Sequence, residues 1–189
     1  MHDIEPFYNW DMYYSAAEDE QSPFHGREYN LFDYENDIYG YFIHPQWDQI
    51  GSETLYLKVL FADYEEGYAI LEMFGEWNDA ITNDSMHLKR NLVDFMLPEG
   101  INKYILICEN VFNYHGLDDD YYAEWFEDVE DGWIAAVNLR EHVESEWSRY
   151  HLDNYINYGG NLDEVENWRT MTPRNFYDYV SSLIMRRLT

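Results

Sequence analysis

Positive charge is what this chain has least of. It carries 11 Lys and Arg against 38 Asp and Glu, a formal net charge of −27 over 189 residues. Affinity for nucleic-acid phosphates comes from Lys and Arg displacing counterions, so direct nucleic-acid binding is disfavoured, and anionic membrane surfaces with it. Cysteine is almost absent. Cys108 is the one thiol, which excludes an intramolecular disulfide and any Cys-x-x-Cys metal or redox motif. No apolar run approaches the ~20 residues of a membrane helix. Residues 1–6 have neither the basic nor the apolar stretch of a secretory signal. The expectation is a cytoplasmic protein in a reducing compartment, where the Asn83-Asp84-Ser85 sequon has no consequence. Gly-x-Ser-x-Gly, P-loop, Gly-x-Gly-x-x-Gly, His-Glu-x-x-His and Glu-x-x-His patterns are all missing.

Aromatics are abundant: 19 Tyr, 10 Phe and 7 Trp. High charge alone would suggest disorder, but disordered chains lack the apolar and aromatic side chains that offset the entropy of ordering. A folded chain of this length buries roughly 70% of its extended surface, so one domain with one core is expected. Halophilic adaptation is a further reading of such acidity.

Residues 1–37 read as an acidic, aromatic arm, with ten acids and a single Arg27. Residues 38–189 read as the α/β body. A short strand is expected over 38–43, ending before Pro45. The clearest hairpin joins strands over 54–62 and 68–74 through Asp63-Tyr64-Glu65-Glu66-Gly67, with Gly67 free to take positive φ. Spacing of Ile81, Ser85, Leu88, Leu92 and Phe95 predicts a helix over 78–97, capped by Asn78 or Asp79 and ended by Pro98-Glu99-Gly100. The apolar run 104–108 suits a strand covered on both faces. Tyr122, Trp125, Phe126 and Val129 mark a second helix, 133–139 a second buried strand, and Val143, Trp147 and Tyr150 a third helix. Thr172 and Pro173 open a last helix. This order predicts an α/β sandwich (α+β in the looser reading) with a mixed, partly parallel sheet.

A β-hairpin followed by alternating helices and strands over residues 54 to about 151 resembles the element order of STAS-type domains, the anti-sigma-factor-antagonist class. In signalling members a phosphorylatable Ser begins a helix after a central strand. The matching stretch here, Cys108-Glu109-Asn110-Val111-Phe112, has no Ser, so the resemblance implies architecture and carries no activity.

The leading chemical candidate is His115 with Asp118, Asp119 and Asp120, a His and three carboxylates able to hold a divalent metal just after a buried strand. Helix capping by the Asp run is the plainer reading. His142 and Glu146 share a helix face at i, i+4. Cys108 as a nucleophile would need a basic or electropositive neighbour, and Glu109 is the opposite. Residues 33–37 look superficially like a calcium loop, but Ile38 replaces the glycine at the sixth position and His44 the glutamate at the twelfth.

Charge is uneven. Asp118, Asp119, Asp120, Glu124, Glu127, Asp128, Glu130 and Asp131 form a run with no Lys or Arg, while residues 169–189 hold Arg169, Arg174, Arg186 and Arg187 against Asp178. With Trp10, Tyr13 and Tyr14 as aromatic anchors, the run predicts a non-enzymatic interaction or regulatory domain for a basic protein surface, or self-association. DNA mimicry is its sharpest form. Twenty-seven charges match roughly 46 Å of duplex, close to the diameter of about 40 Å of a compact domain this long. A metal-assisted enzyme built on His115 and Asp118–Asp120, and a structural subunit with a solubilising surface, are the alternatives.

Overall fold

The computed structural model describes residues 2–34 and 36–189. Its centre is a five-stranded mixed sheet in the order β4 (Asp48–Gln49), β5 (Leu55–Asp63), β6 (Tyr68–Asn78), β7 (Lys103–His115), β8 (Trp133–Val137). β4, β5 and β6 are antiparallel neighbours, whereas β6, β7 and β8 run parallel. The mixed α/β class is therefore as expected. The β5–β6 hairpin turns where Gly67 takes φ 77°, and the Asp63 carboxylate accepts from the amides of Glu65 and Glu66. In β6, Gly75 takes φ 114° against the Thr54 carbonyl, where a Cβ would lie 2.1 Å from the oxygen.

Both faces of the sheet are covered, which explains why β7 and β8 are apolar without alternation. On one face lie α1 (Asp84–Leu88), which runs through a π-helical stretch (Lys89–Val93) into α2 (Asp94–Met96), then α3 (Asp120–Asp128) and α4 (Glu141–Arg149). Leu88, Leu92, Trp125, Val143 and Trp147 pack there with Leu71, Leu106 and Ala136. On the other face, α5 (Pro173–Arg187) lays Phe176, Val180 and Ile184 over Ile70, Ile105 and Val137. Thr172 caps α5 by accepting from the Asn175 amide. No helix of the described residues is long and apolar enough to cross a membrane.

Three expectations are corrected. Residues 38–43 are not one strand. Tyr39 and Gly40 take positive φ and form a turn between β2 (Asp37–Ile38) and β3 (Tyr41–Ile43). β3 also pairs in parallel with β1 (His2–Ile4). The helix expected over 78–97 starts at Asp84, because Asn78 stays in β6 opposite His115 and its side-chain oxygen then accepts from the Ile81 amide. The run 104–108 extends to His115, so residues 108–112 lie inside β7 and begin no helix.

Candidate functional site: the acidic run along α3

Parallel strands bring the C-terminal ends of β6 and β7 to one edge, with Asn78 in register with His115. His115 Nε2 lies 3.3 Å from Glu76 of the neighbouring strand, and Glu76 also accepts from the Tyr39 hydroxyl. Asp119 precedes α3 and accepts from the Tyr155 hydroxyl at 2.5 Å. Asp120 occupies the first turn of α3, where negative charge suits the helix dipole. His115 and Asp118–Asp120 are thus not gathered into one ligand set. Strand pairing commits His115 to Glu76, and Tyr155 occupies Asp119.

The group whose ligand atoms do converge, among the described residues, is Asp94, Glu124 and Asp128. Cations of the protein itself sit among these carboxylates. The Lys89 ammonium bonds Asp94, lies 2.8 Å from Asp128 and 3.4 Å from Glu124, and its side chain is 1% exposed. Arg90 grips Glu124 with two nitrogens at 2.5 and 2.8 Å. The carboxylates hold Lys89 above its ordinary pKa despite the opposing cost of burial. Arg90 and Lys89 hold Glu124 below the usual carboxylate range.

Lys89 and Arg90 divide the acidic run. Glu124 and Asp128, one helical turn apart, face these cations. Asp118, Asp120, Glu127, Glu130 and Asp131 are exposed and enter no ion pair among the described residues. Asp118 and Asp120 lie with exposed Leu117 and Ile81 near the C-terminal ends of β6 and β7, whereas Glu130 and Asp131 precede β8 beside Asn102 at the start of β7, and exposed Phe126 lies on α3 between them, against Tyr155. The amide of Ala80 donates to the His115 carbonyl, which fixes the Ile81 turn beside the end of β7.

The aromatic arm divides in the same way. Trp10 is buried, its indole donating to the Met171 carbonyl and its ring packing among Phe7, Trp168 and Phe176. Trp10 therefore belongs to the core of this chain and is not free for a partner. Tyr14 is half-buried, and its hydroxyl and that of Tyr64 both donate to Asp19 Oδ2. Tyr13 remains exposed beside Met12 and Tyr8.

Cys108 is fully buried, and burial followed by the Asp163 and Glu109 charges pushes its thiol far up. It is a packing residue, as its acidic neighbour suggested. His142 and Glu146 do not pair: His142 Nε2 meets the Phe112 carbonyl at 2.6 Å, and Glu146 meets Arg149. Sequence reasoning missed the buried carboxylates Asp48 and Glu72 and a cavity of about 530 Å³ beneath the arm. The only hint was that Arg27 and Lys58, two of the few cations, flank so much acid.

No protein-family model matches the sequence, and no curated protein matches it. Among solved structures, a protein described as an anti-sigma factor antagonist from Thermotoga maritima aligns with 61% of this chain and 93% of its own, at 18% identity and a TM-score of 0.41. The anti-sigma factor antagonist SpoIIAA in its unphosphorylated form aligns with 61% of this chain and 98% of its own, at 7% identity and a TM-score of 0.42. Likeness at this level leaves activity to be argued from the residues of the chain itself.

Proposed function

We propose that the chain is a protein-interaction domain that binds a basic protein surface along the exposed carboxylates of α3 and its flanking residues. The observation that carries this reading is the set of exposed carboxylates Asp118, Asp120, Glu127, Glu130 and Asp131, strung along α3 and its flanks with exposed Leu117 and Phe126, none of the five in an ion pair among the described residues. Unpaired carboxylates steer a cationic partner from a distance, and apolar groups beside them add short-range affinity. The net charge of −27 extends the steering field beyond α3 itself. The reading needs no reaction, and His115 and Cys108 are committed elsewhere. The DNA-mimic form of the proposal asks more, namely that the partner's own DNA site receive these carboxylates.

Titration against a basic DNA-binding protein at low and at high salt tests it. Binding at low salt that weakens steeply as salt rises is expected. Absence of binding at low salt, or binding indifferent to salt, overturns it. Competition by duplex DNA for the same partner distinguishes mimicry from binding elsewhere on that partner.

A further inference from the structure

The chain has three lysines, and they sit in unlike places. Lys89 is enclosed by Asp94, Glu124 and Asp128. Lys103 donates to the Glu66 carbonyl and to Asn102. Lys58, on β5, lines the cavity of about 530 Å³ between that strand and the N-terminal arm. A space of this size is in the range that takes a small ligand.

Lys58 is poorly served as an ammonium. Its side chain is 16% exposed, yet among the described residues it makes one hydrogen bond, to the Gln46 carbonyl at 3.2 Å, where an ammonium offers three donors. Asp48 Oδ2 lies 3.8 Å away, buried and without a hydrogen-bond partner among the described residues. The other Asp48 oxygen is taken by Arg27 at 2.8 Å and by the Tyr29 hydroxyl at 2.6 Å. The remaining support is the Tyr29 ring, 4.1 Å from Nζ to its centroid. Burial lowers the Lys58 pKa; Asp48 and Asp11 pull it up and Arg27 pushes it down. A shift in this direction favours the neutral, nucleophilic amine over the ammonium.

The walls select the ligand. Asp11, Glu18 and Glu28 line the same cavity, and its one other cation, Arg27, is engaged with Asp48. An anion is repelled there, while Val59 and Leu60 offer apolar contact to a neutral molecule. We propose that Lys58 anchors a small-molecule site beneath the N-terminal arm, binding a small neutral aldehyde or ketone as a reversible imine. The Nζ lone pair adds to the carbonyl carbon, the nitrogen proton passes to the oxygen, and the carbinolamine loses water to leave a C=N bond. Amine and carbonyl compound thus give imine and one water, with no oxidant or reductant. Asp11, on the cavity wall and electrostatically coupled to Lys58, relays the proton: its carboxylate takes one from the carbinolamine nitrogen and gives it to the departing hydroxyl.

The test is reductive trapping of the full chain with propionaldehyde and cyanoborohydride near neutral pH, read by peptide mapping. Lys58, held in the cavity, is expected to be labelled at least about tenfold faster than Lys103. The rate is expected to saturate with aldehyde concentration and to fall in Asp11→Asn without change at Lys103. Labelling of Lys58 no faster than Lys103, a rate linear in aldehyde, or saturable labelling that persists in Lys58→Met overturns the proposal. The wild-type ratio decides even if a variant fails to fold.

Discussion

The backbone amide of Phe7 donates to the carboxylate of Glu72 at 2.8 Å, across 65 residues of sequence. Glu72 sits in the middle strand of the sheet, on the face that α5 shares with the arm, and is 1% exposed. A carboxylate there is costly unless bonded. The arm supplies one donor, and its Phe7 and Trp10 rings close over Trp168 and Phe176. The ends of the chain are therefore held together around one buried acid.

That acid gives stability a pH dependence. Burial raises Glu72 from 4.5 to about 7, against the opposing pull of the Phe7 amide and of Arg169, with Glu109 adding to the rise. The folded state then holds a proton that the unfolded state releases between these two values. Its contribution is present below pH 4.5 and is lost as pH rises through about 7. Glu72→Gln keeps an acceptor for Phe7 and removes the titration. Denaturant melts from pH 5 to 8 are expected to show the wild type losing of the order of 2 kcal/mol relative to this variant. A gap independent of pH would show that Glu72 does not titrate in this range.

Trp10 and Tyr13 are three residues apart and predicted to behave oppositely. Trp10→Ala empties a pocket walled by Trp168 and Phe176 and orphans the Met171 carbonyl, which costs about 3–5 kcal/mol. Tyr13 is 52% exposed, so Tyr13→Ala is expected within about 0.5 kcal/mol of wild type. Thermal melts of both variants check this.

These two residues also mark how far the sequence could be read. β5, β8, α3, α4 and α5 follow from periodicity and caps, which are local signals. β7 was read to 108 because apolar continuity stops at Cys108, although pairing with β6 carries it on to His115. The arm has no such periodicity. Its order comes from contacts such as Trp10 with Trp168 and Phe7 with Glu72, which no window of sequence contains. The candidate site divides likewise. The acidic run is visible at once, but the pairing of Glu124 and Asp128 with Lys89 and Arg90 depends on α3 crossing the π-helical stretch.

Lys89 is a built-in counter-ion, and its removal is predicted to be pH-sensitive. Lys89→Met leaves Asp94, Glu124 and Asp128 facing one another with only Arg90 to oppose them. The three acids are one-third to nearly one-half exposed, so a cost of about 2 kcal/mol at neutral pH and low salt is expected, below that of a fully buried broken pair. In the wild type, Lys89 and Arg90 depress Asp94 and Glu124. That stabilisation is present above the ordinary carboxylate pKa and is lost as pH falls through the depressed values. In the variant the repulsion is relieved by protonation, so its deficit should shrink as pH falls toward 4. A deficit constant from pH 7 to 4 would point to lost packing alone.

Glu124 and Glu127 give the sharpest test of the proposed surface, because they share α3 and differ in pairing. Glu124 is held by Arg90 in a two-nitrogen grip, whereas Glu127 enters no ion pair among the described residues. Reversing Glu127 to Lys is expected to leave stability within about 0.5 kcal/mol of wild type and to slow association with a basic partner at low salt, since an exposed charge acts through steering. Reversing Glu124 to Lys places a third cation beside Lys89 and Arg90 and is expected to lower stability first. Association rates measured at two salt concentrations, alongside melts of both variants, separate the effects. If Glu127→Lys binds the partner as fast as wild type at low salt, the exposed carboxylates of α3 are not the recognition surface, and the acidity of this helix serves solubility.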